Sequence, residues 1–194
     1  MAATAFLFDL DGTIWDSYPC YGAALSAALN CTQDNVISRL RAGENVVTLA
    51  GIAGLSNPRF TQLCRAVVGE IKLYPDVVET LDELAERQLP QGVVTNMPQR
   101  LVTPLLSDLG IDNYFRSVVC AARKPSGSGV IRALRELGVR PDANVLYVGD
   151  SLIDAHAAGR AGVSFAWAAY GYGVEIPPDT AVELERFSSL LNLL

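Results

Sequence analysis

Short apolar runs alternate with helical patterns along most of this sequence. The runs that have the length of a strand lie at residues 5–8, 92–95, 117–120, 144–148 and 164–168. They lack a strict alternation of apolar and polar residues, so both faces of each strand are predicted to be buried, as in a parallel sheet covered by helices. Alternating strands and helices of this kind are connected by right-handed crossovers. The pattern therefore predicts an α/β fold with a doubly wound, five-stranded parallel sheet.

Caps mark the boundaries of the helices between these strands. Asp76 and Glu79 have the spacing of a capping box, which predicts the start of a helix. Gly138 is placed to end a helix over residues 127–137, because glycine adopts the left-handed conformation that closes many helices. The leucine-rich residues 184–193 are typical of a closing C-terminal helix.

Residues 16–74 depart from this rhythm. They contain four helical patterns and no strand-like run of comparable quality. Apolar residues between positions 60 and 71, for example, recur at the spacing of one helix face. We therefore predict that residues 16–74 form a small helical bundle, inserted into a core domain made of residues 1–15 and 75–194.

The composition narrows the possible partners and compartments. The net charge of −6 disfavours nucleic acids and anionic membranes as partners, because both are negatively charged. No apolar run approaches the ~20 residues that a membrane-spanning helix needs. Since no basic and apolar leader precedes the first predicted strand, we expect a cytoplasmic protein.

Cysteine, histidine and lysine are each informative. The four cysteines show no Cys-x-x-Cys spacing, which gives little support to a zinc site. The single histidine, His156, lies among alanines, so a histidine-based catalytic triad is disfavoured. Lys72 and Lys124 are the only lysines, so any chemistry that requires a lysine falls on one of these two residues.

Polar side chains follow four of the predicted strands, at the point where each strand ends. In chain order they are Asp9 and Asp11, Thr95 and Asn96, Lys124, and Asp150 and Asp154. The carboxyl ends of parallel strands lie at one edge of an α/β sheet, where ligands bind. We therefore expect these side chains to converge on one site.

The first acid pair indicates the chemistry. Carboxylates two residues apart on a strand share one face, and each raises the pKa of the other unless a cation is close. Carboxylate oxygens are the ligands that Mg²⁺ prefers, and a carboxylate is a competent nucleophile toward phosphorus. The alternatives are an exposed turn at residues 9–12 and, for Asp154, an acid that only stabilises the first turn of a helix.

With these motifs the chain resembles the phosphatases of the haloacid dehalogenase superfamily that carry a helical cap of the first type. The resemblance extends from residue 6 to about residue 193. It rests on Asp-Leu-Asp-Gly-Thr at residues 9–13, Val-Thr-Asn at 94–96, Lys-Pro at 124–125 and Gly-Asp-Ser-Leu-Ile-Asp at 149–154. It implies a Rossmann-like core and a cap formed by residues 16–74.

The resemblance also implies a role for each residue of the set. Asp9 is the expected nucleophile and Asp11 the expected general acid and base. Thr95 and Asn96 are expected to bind the phosphoryl group, and Lys124 to neutralise both the nucleophile and the phosphate. The expected Mg²⁺ ligands are Asp9, the backbone carbonyl of Asp11 and Asp150, with Asp154 supporting the metal directly or through water.

Thr-Asn-Met-Pro at residues 95–98 and Gly-Tyr-Gly at 171–173 resemble the phosphoglycolate phosphatase-like branch. The resemblance implies a phosphatase that acts on a small phosphorylated metabolite and is a monomer or a homodimer. Basic residues of the cap are candidates for recognising a second anionic group, and they are Arg39, Arg41, Arg59, Arg65 and Lys72; we expect at least three of them to be solvated surface charges. The alternatives are a sugar-phosphate mutase of the same superfamily and a non-catalytic phosphate-binding protein on the same scaffold.

Overall fold

The computed structural model describes residues 3–42 and 44–194, and the chain divides into two compact units. The first unit combines Met1–Ile14 with Leu73–Leu194, and the second is Trp15–Lys72. The first is an α/β unit and the second is helical, and each is described by itself below.

The strands of the described residues are β1 (Ala5–Phe8), β2 (Trp15–Asp16), β3 (Lys72–Leu73), β4 (Gln91–Val94), β5 (Ser117–Val119), β6 (Val145–Gly149), β7 (Ser164–Ala168) and β8 (Thr180–Leu184). Strands β2 and β3 pair with each other, and the other six form one parallel sheet in the order β5-β4-β1-β6-β7-β8. The predicted doubly wound α/β sheet is confirmed. Strand β1 lies between β4 and β6, so the segments that leave these three strands lie side by side.

The sheet has six strands where the sequence predicted five, because β8 was missed. Along β8 the half-buried Thr180 and Val182 alternate with the exposed Ala181 and Glu183, as in a strand at the edge of a sheet. Such a short alternating run, next to a leucine-rich tail, resembles the beginning of a helix. The predicted closing helix at 184–193 is found in part: Leu184 ends β8, and Phe187–Leu193 is a 3₁₀ helix.

Four helices flank the strands within the described part of the α/β unit, namely α5 (Val77–Glu86), α6 (Gln99–Asp108), α7 (Ser128–Leu137) and α8 (Leu152–Ala161). Helix α7 ends as predicted at Gly138, which is left-handed with φ 72°. The predicted capping box before α5 is wrong. Asp76 is left-handed with φ 64° and makes no cap hydrogen bond, and its Oδ2 instead accepts a 2.9 Å hydrogen bond from the Ser188 hydroxyl.

The sheet is buried on both faces, as the absence of alternation predicted. All four residues of β1 are fully buried, and so is Tyr147 of β6. One face packs against α7 and α8 through residues such as Val130, Leu134 and Ala158. This packing fixes the ends of β1, β4 and β6, from which the candidate site is built.

The helical unit contains, within its described residues, α1 (Tyr18–Leu25), α2 (Gln33–Arg41), α3 (Val46–Ile52) and α4 (Asn57–Ala66). Its core is apolar and includes Leu25, Val36, Leu40 and Leu49. The four predicted helical patterns of this segment are confirmed.

Three basic side chains of the helical unit have hydrogen-bond or ion-pair partners within that unit. Arg39 forms a bidentate ion pair with Glu44, with both N–O distances 2.7 Å. Arg59 donates to Gln62 at 2.6 Å, and the Lys72 ammonium donates to a backbone carbonyl at 3.0 Å. In neither unit, over the ranges described, is there a helix long and apolar enough to cross a membrane.

Candidate active site

Three acidic side chains meet at the carboxyl end of the sheet. Asp9 directly follows β1 and its N–H donates to the Val148 carbonyl at 2.9 Å, which places it beside the end of β6. Asp150 directly follows β6, and Asp154 lies in the first turn of α8. One carboxylate oxygen from each of Asp9, Asp150 and Asp154 lies within 4.8 Å of the others, and all three side chains are buried.

Lys124 connects two of these carboxylates. Its Nζ lies 2.7 Å from Oδ1 of Asp9 and 2.6 Å from Oδ1 of Asp154, and its side chain is 2% exposed. Burial alone would lower the pKa of Lys124, but the carboxylates of Asp154 and Asp9 raise it above its ordinary value. The lysine is therefore held in its charged form between the two acids.

Asp154 is surrounded by donors from the protein. Oδ1 accepts from Lys124, and the Tyr147 hydroxyl, whose single proton is shared with the Val94 carbonyl at 2.8 Å, lies 3.1 Å from the same oxygen. Oδ2 accepts from the Ser151 N–H at 3.2 Å and from the Ser151 hydroxyl. These contacts make Asp154 an anchor for Lys124 and for the first turn of α8. A direct bond from Asp154 to a metal stays a prediction.

The electrostatics of the cluster favour a cation. The pKa of Asp9 is raised to about 7, mainly by burial and also by the nearby carboxylates of Asp154 and Asp11, against the opposing effect of Lys124. Burial, with Asp154 and Asp9 nearby, also raises the pKa of Asp150 well above its ordinary value. Among the described residues of the cluster, three buried carboxylates face one ammonium group. The donors are all hard oxygens and the charge is in excess, so these residues fit a divalent ion such as Mg²⁺.

Asp11 lies in the turn that leaves β1, and its side chain is half-buried. Gly12 allows that turn to close against the second acid pair. It is left-handed with φ 76°, and a Cβ at this position would overlap Oδ2 of Asp150. A glycine is therefore required for the first acid pair and Asp150 to approach each other.

Thr95 and Asn96 follow β4, and Asn96 contacts the segment that carries Lys124. Thr95 is buried, and its hydroxyl oxygen accepts the Met97 N–H at 3.1 Å. The side-chain amide of Asn96 contacts the backbone of Lys124 on both sides. Its Oδ1 accepts the Lys124 N–H at 2.8 Å, and its Nδ2 donates to the Lys124 carbonyl at 3.4 Å. Asn96 thus holds the segment that carries the ammonium group.

Two aromatic residues at the site were missed by the sequence analysis. The buried Tyr147 hydroxyl lies 2.8 Å from the Val94 carbonyl as well as beside Asp154. The indole N–H of Trp167 donates to the Asp150 carbonyl at 3.0 Å. A tyrosine or tryptophan in an otherwise apolar buried strand is a usable signal, because its polar atom needs a partner there.

Comparisons with known proteins show similarity over most of the chain. The family model described as haloacid dehalogenase-like hydrolase matches residues 6–168. The phosphoglycolate phosphatase of Pectobacterium atrosepticum is 32% identical, with 100% of this chain and 93% of that protein covered. That of Escherichia coli K12 is 30% identical, with 96% and 89% covered.

Solved structures with a similar fold include members of the same superfamily. The crystal structure of a predicted phosphoglycolate phosphatase from Haemophilus somnus superimposes with a TM-score of 0.76 at 26% identity, covering 98% of this chain and 97% of that one. A hydrolase of the same superfamily from Geobacter sulfurreducens has a TM-score of 0.76 at 23% identity, with 99% and 96% covered. At that identity the second likeness concerns the fold alone.

Proposed function

Because the chain belongs to the haloacid dehalogenase-like hydrolases and is a phosphatase of that family, we propose that it is Mg²⁺-dependent and hydrolyses a small phosphate monoester through a phospho-aspartyl intermediate on Asp9. The observation that carries this proposal is the buried cluster in which Lys124 lies 2.7 Å from Asp9, with Asp150 alongside. A carboxylate that is buried, paired with an ammonium group and close to further acids is suited to attack phosphorus once the negative charge is neutralised.

The proposed metal ligands are Asp9, Asp150 and the backbone carbonyl of Asp11. When bound there, Mg²⁺ would supply positive charge that offsets the negative charge of the phosphoryl group and helps to orient it. The role of Lys124 is complementary, because its ammonium group is fixed by Asp154 and offsets negative charge on Asp9 and on the transferring phosphoryl group.

The proposed reaction has two steps, in which Asp9 is the nucleophile and Asp11 transfers protons. The Asp9 carboxylate forms a bond to phosphorus as the bond from phosphorus to the leaving oxygen breaks. Asp11 gives its proton to that oxygen, then removes a proton from the water that attacks the phospho-aspartate and regenerates Asp9. The Thr95 hydroxyl and the Asn96 backbone amide are proposed to hold the phosphoryl oxygens.

Phosphoglycolate is the first substrate to test, since it is named in the relatives that match nearly the whole chain. Sugar phosphates come next. The test is a panel that compares 2-phosphoglycolate, several sugar phosphates, a phosphopeptide and a 3′-phosphorylated oligonucleotide by kcat/KM, with Mg²⁺ and with a chelator.

We expect release of inorganic phosphate from a small substrate, loss of activity with chelator and no turnover by Asp9→Asn. A preference for the peptide or the oligonucleotide would contradict the small-substrate proposal. Formation of an isomeric sugar phosphate without release of inorganic phosphate would indicate a mutase instead. Near wild-type turnover by Asp9→Asn would refute the role of Asp9 as nucleophile.

A further inference from the structure

The end of β7 and the loop that follows it surround Asp150 with fixed contacts. The Tyr172 N–H donates to Oδ2 of Asp150 at 2.9 Å, and the Trp167 indole holds the Asp150 carbonyl at 3.0 Å. Asp150 is therefore fixed through its side chain and its backbone by one segment of seven residues, 167–173. This segment contains no acidic or basic residue.

Glycines in this loop allow it to approach Asp150 closely. A Cβ at Gly171 would overlap the Gly12 carbonyl oxygen and lie 2.5 Å from Cβ of Asp150. A Cβ at Gly173 would overlap the carbonyl oxygen of Asp150 and lie 3.1 Å from Nε1 of Trp167. The loop backbone thus packs directly onto Asp150 and onto the turn at Gly12.

A further hydrogen bond fixes the loop to that turn. The hydroxyl of Tyr170 donates to the Thr13 carbonyl at 2.9 Å, and the Tyr170 ring packs edge-on against Tyr74 with the ring centroids 5.0 Å apart. The turn at residues 11–13 and Asp150 are therefore held in one arrangement by the same loop. The proposed ligands from both, the Asp11 carbonyl and the Asp150 carboxylate, are positioned together.

We propose that residues 167–173 form a clamp that positions Asp150 for metal binding. The affinity of the site for Mg²⁺ then depends on how closely the backbone of this segment packs against Asp150. This inference rests on the proposed function. One amide donor occupies only one of the roughly four lone-pair sites of a carboxylate. The clamp therefore fixes the orientation of Asp150 and leaves acceptor capacity for a cation. Outer contacts of this kind typically change metal affinity by ~10–100-fold when they are removed.

The test uses Gly171→Ala, with Gly159→Ala as the matched control. Gly159 lies on an exposed turn of α8 with open space where a Cβ would stand, so the same added methyl group meets nothing there. Binding of Mn²⁺ to each purified protein is measured by electron paramagnetic resonance, and Mg²⁺ affinity by competition. We expect Gly171→Ala to weaken both by roughly 10- to 100-fold, and Gly159→Ala to bind like the wild type.

A folded Gly171→Ala protein with wild-type affinity, or an equal loss in Gly159→Ala, would overturn the clamp. If Gly171→Ala does not fold, Tyr170→Phe decides, because it removes one hydroxyl and adds no bulk. An affinity that is lower by about threefold or more in Tyr170→Phe supports the clamp, and an unchanged one overturns it. A wild-type protein that binds neither ion would refute the proposed metal dependence itself, which separates the two failures.

Discussion

Asn96→Ala distinguishes two roles for a residue that the sequence analysis assigned to phosphate binding. In the structure its side chain holds the backbone of Lys124 by contacts of 2.8 Å and 3.4 Å. Alanine removes both contacts, each of which is worth about 0.5–1.5 kcal/mol. The segment that carries the ammonium group then gains freedom to move, while Asp9 and Asp154 remain in place.

The size of the effect follows from the position of Nζ. At 2.7 Å from Asp9 and an effective dielectric constant of about 20, the attraction between the two charges is about 6 kcal/mol. At such a separation, a displacement of roughly 0.5 Å weakens the attraction between two unit charges by about 1 kcal/mol. If the displaced ammonium group loses this much attraction, or about twice as much, toward the charge on the transferring phosphoryl group in the transition state, kcat is expected to fall by roughly 5- to 50-fold.

The assay is steady-state kinetics at saturating Mg²⁺ on the best substrate of the panel, together with thermal unfolding. If the side chain acts through Lys124, kcat falls and KM changes by less than about threefold, because ground-state binding is retained. The control is Asn45→Ala in the helical unit, where the side chain also accepts backbone N–H groups, at 2.9 Å and 3.3 Å. It should lower the melting temperature and leave kcat unchanged. A tenfold rise in KM at constant kcat for Asn96→Ala would refute the reasoning and support direct phosphate binding by the side chain.

Three further substitutions test other parts of the site. Asp11→Asn should slow turnover by ~10²–10⁴-fold but leave Mg²⁺ affinity nearly intact in titration calorimetry, since the proposed ligand is its backbone carbonyl; an affinity as low as that of Asp150→Asn would contradict this division of roles. Lys124→Ala should lower kcat/KM by ~10²–10³-fold because one preorganised charge is lost, and a value within a few-fold of the wild type would show that the ammonium group is not used. Tyr147→Phe leaves the Val94 carbonyl without the donor that lies at 2.8 Å, and urea unfolding should show a loss of about 1–3 kcal/mol; an unchanged midpoint would argue against that hydrogen bond.

The sequence predicts the sheet where burial on both faces leaves a continuous apolar run, as in β1 and β6. It fails at β8, because an edge strand with one exposed face carries only a weak alternating signal. It also fails at Asp76, where the residue types of a capping box are present but the backbone is left-handed and the carboxylate accepts from Ser188 instead. A side chain with two possible partners cannot be assigned from spacing alone.

Within the candidate site, too, residue type and spacing predict some contacts and not others. The acceptors could be predicted, since Asp9, Asp150 and Asp154 are defined by residue type and by their position after a strand or in the first turn of a helix. Their donors could not, because many of them are backbone N–H groups or hydroxyls. The direction of the Tyr172 N–H toward Asp150 depends on the path of a loop, and that path is encoded by Gly171 and Gly173 only through the space they leave.

Asp150 and Asp154 belong to one short motif, but the protein provides them with different hydrogen-bond donors. Asp154 receives Lys124 and two donors from Ser151, and the Tyr147 hydroxyl lies 3.1 Å away, so its charge is compensated by the protein itself. Asp150 receives the Tyr172 N–H on its carboxylate and is packed closely by backbone. Its pKa is raised, first by burial and then by the nearby charges of Asp154 and Asp9. A buried carboxylate whose charge the protein leaves largely uncompensated is costly unless a ligand provides the compensation. One acid of the pair therefore holds a lysine, and the other is the carboxylate whose charge the proposed metal ion would compensate.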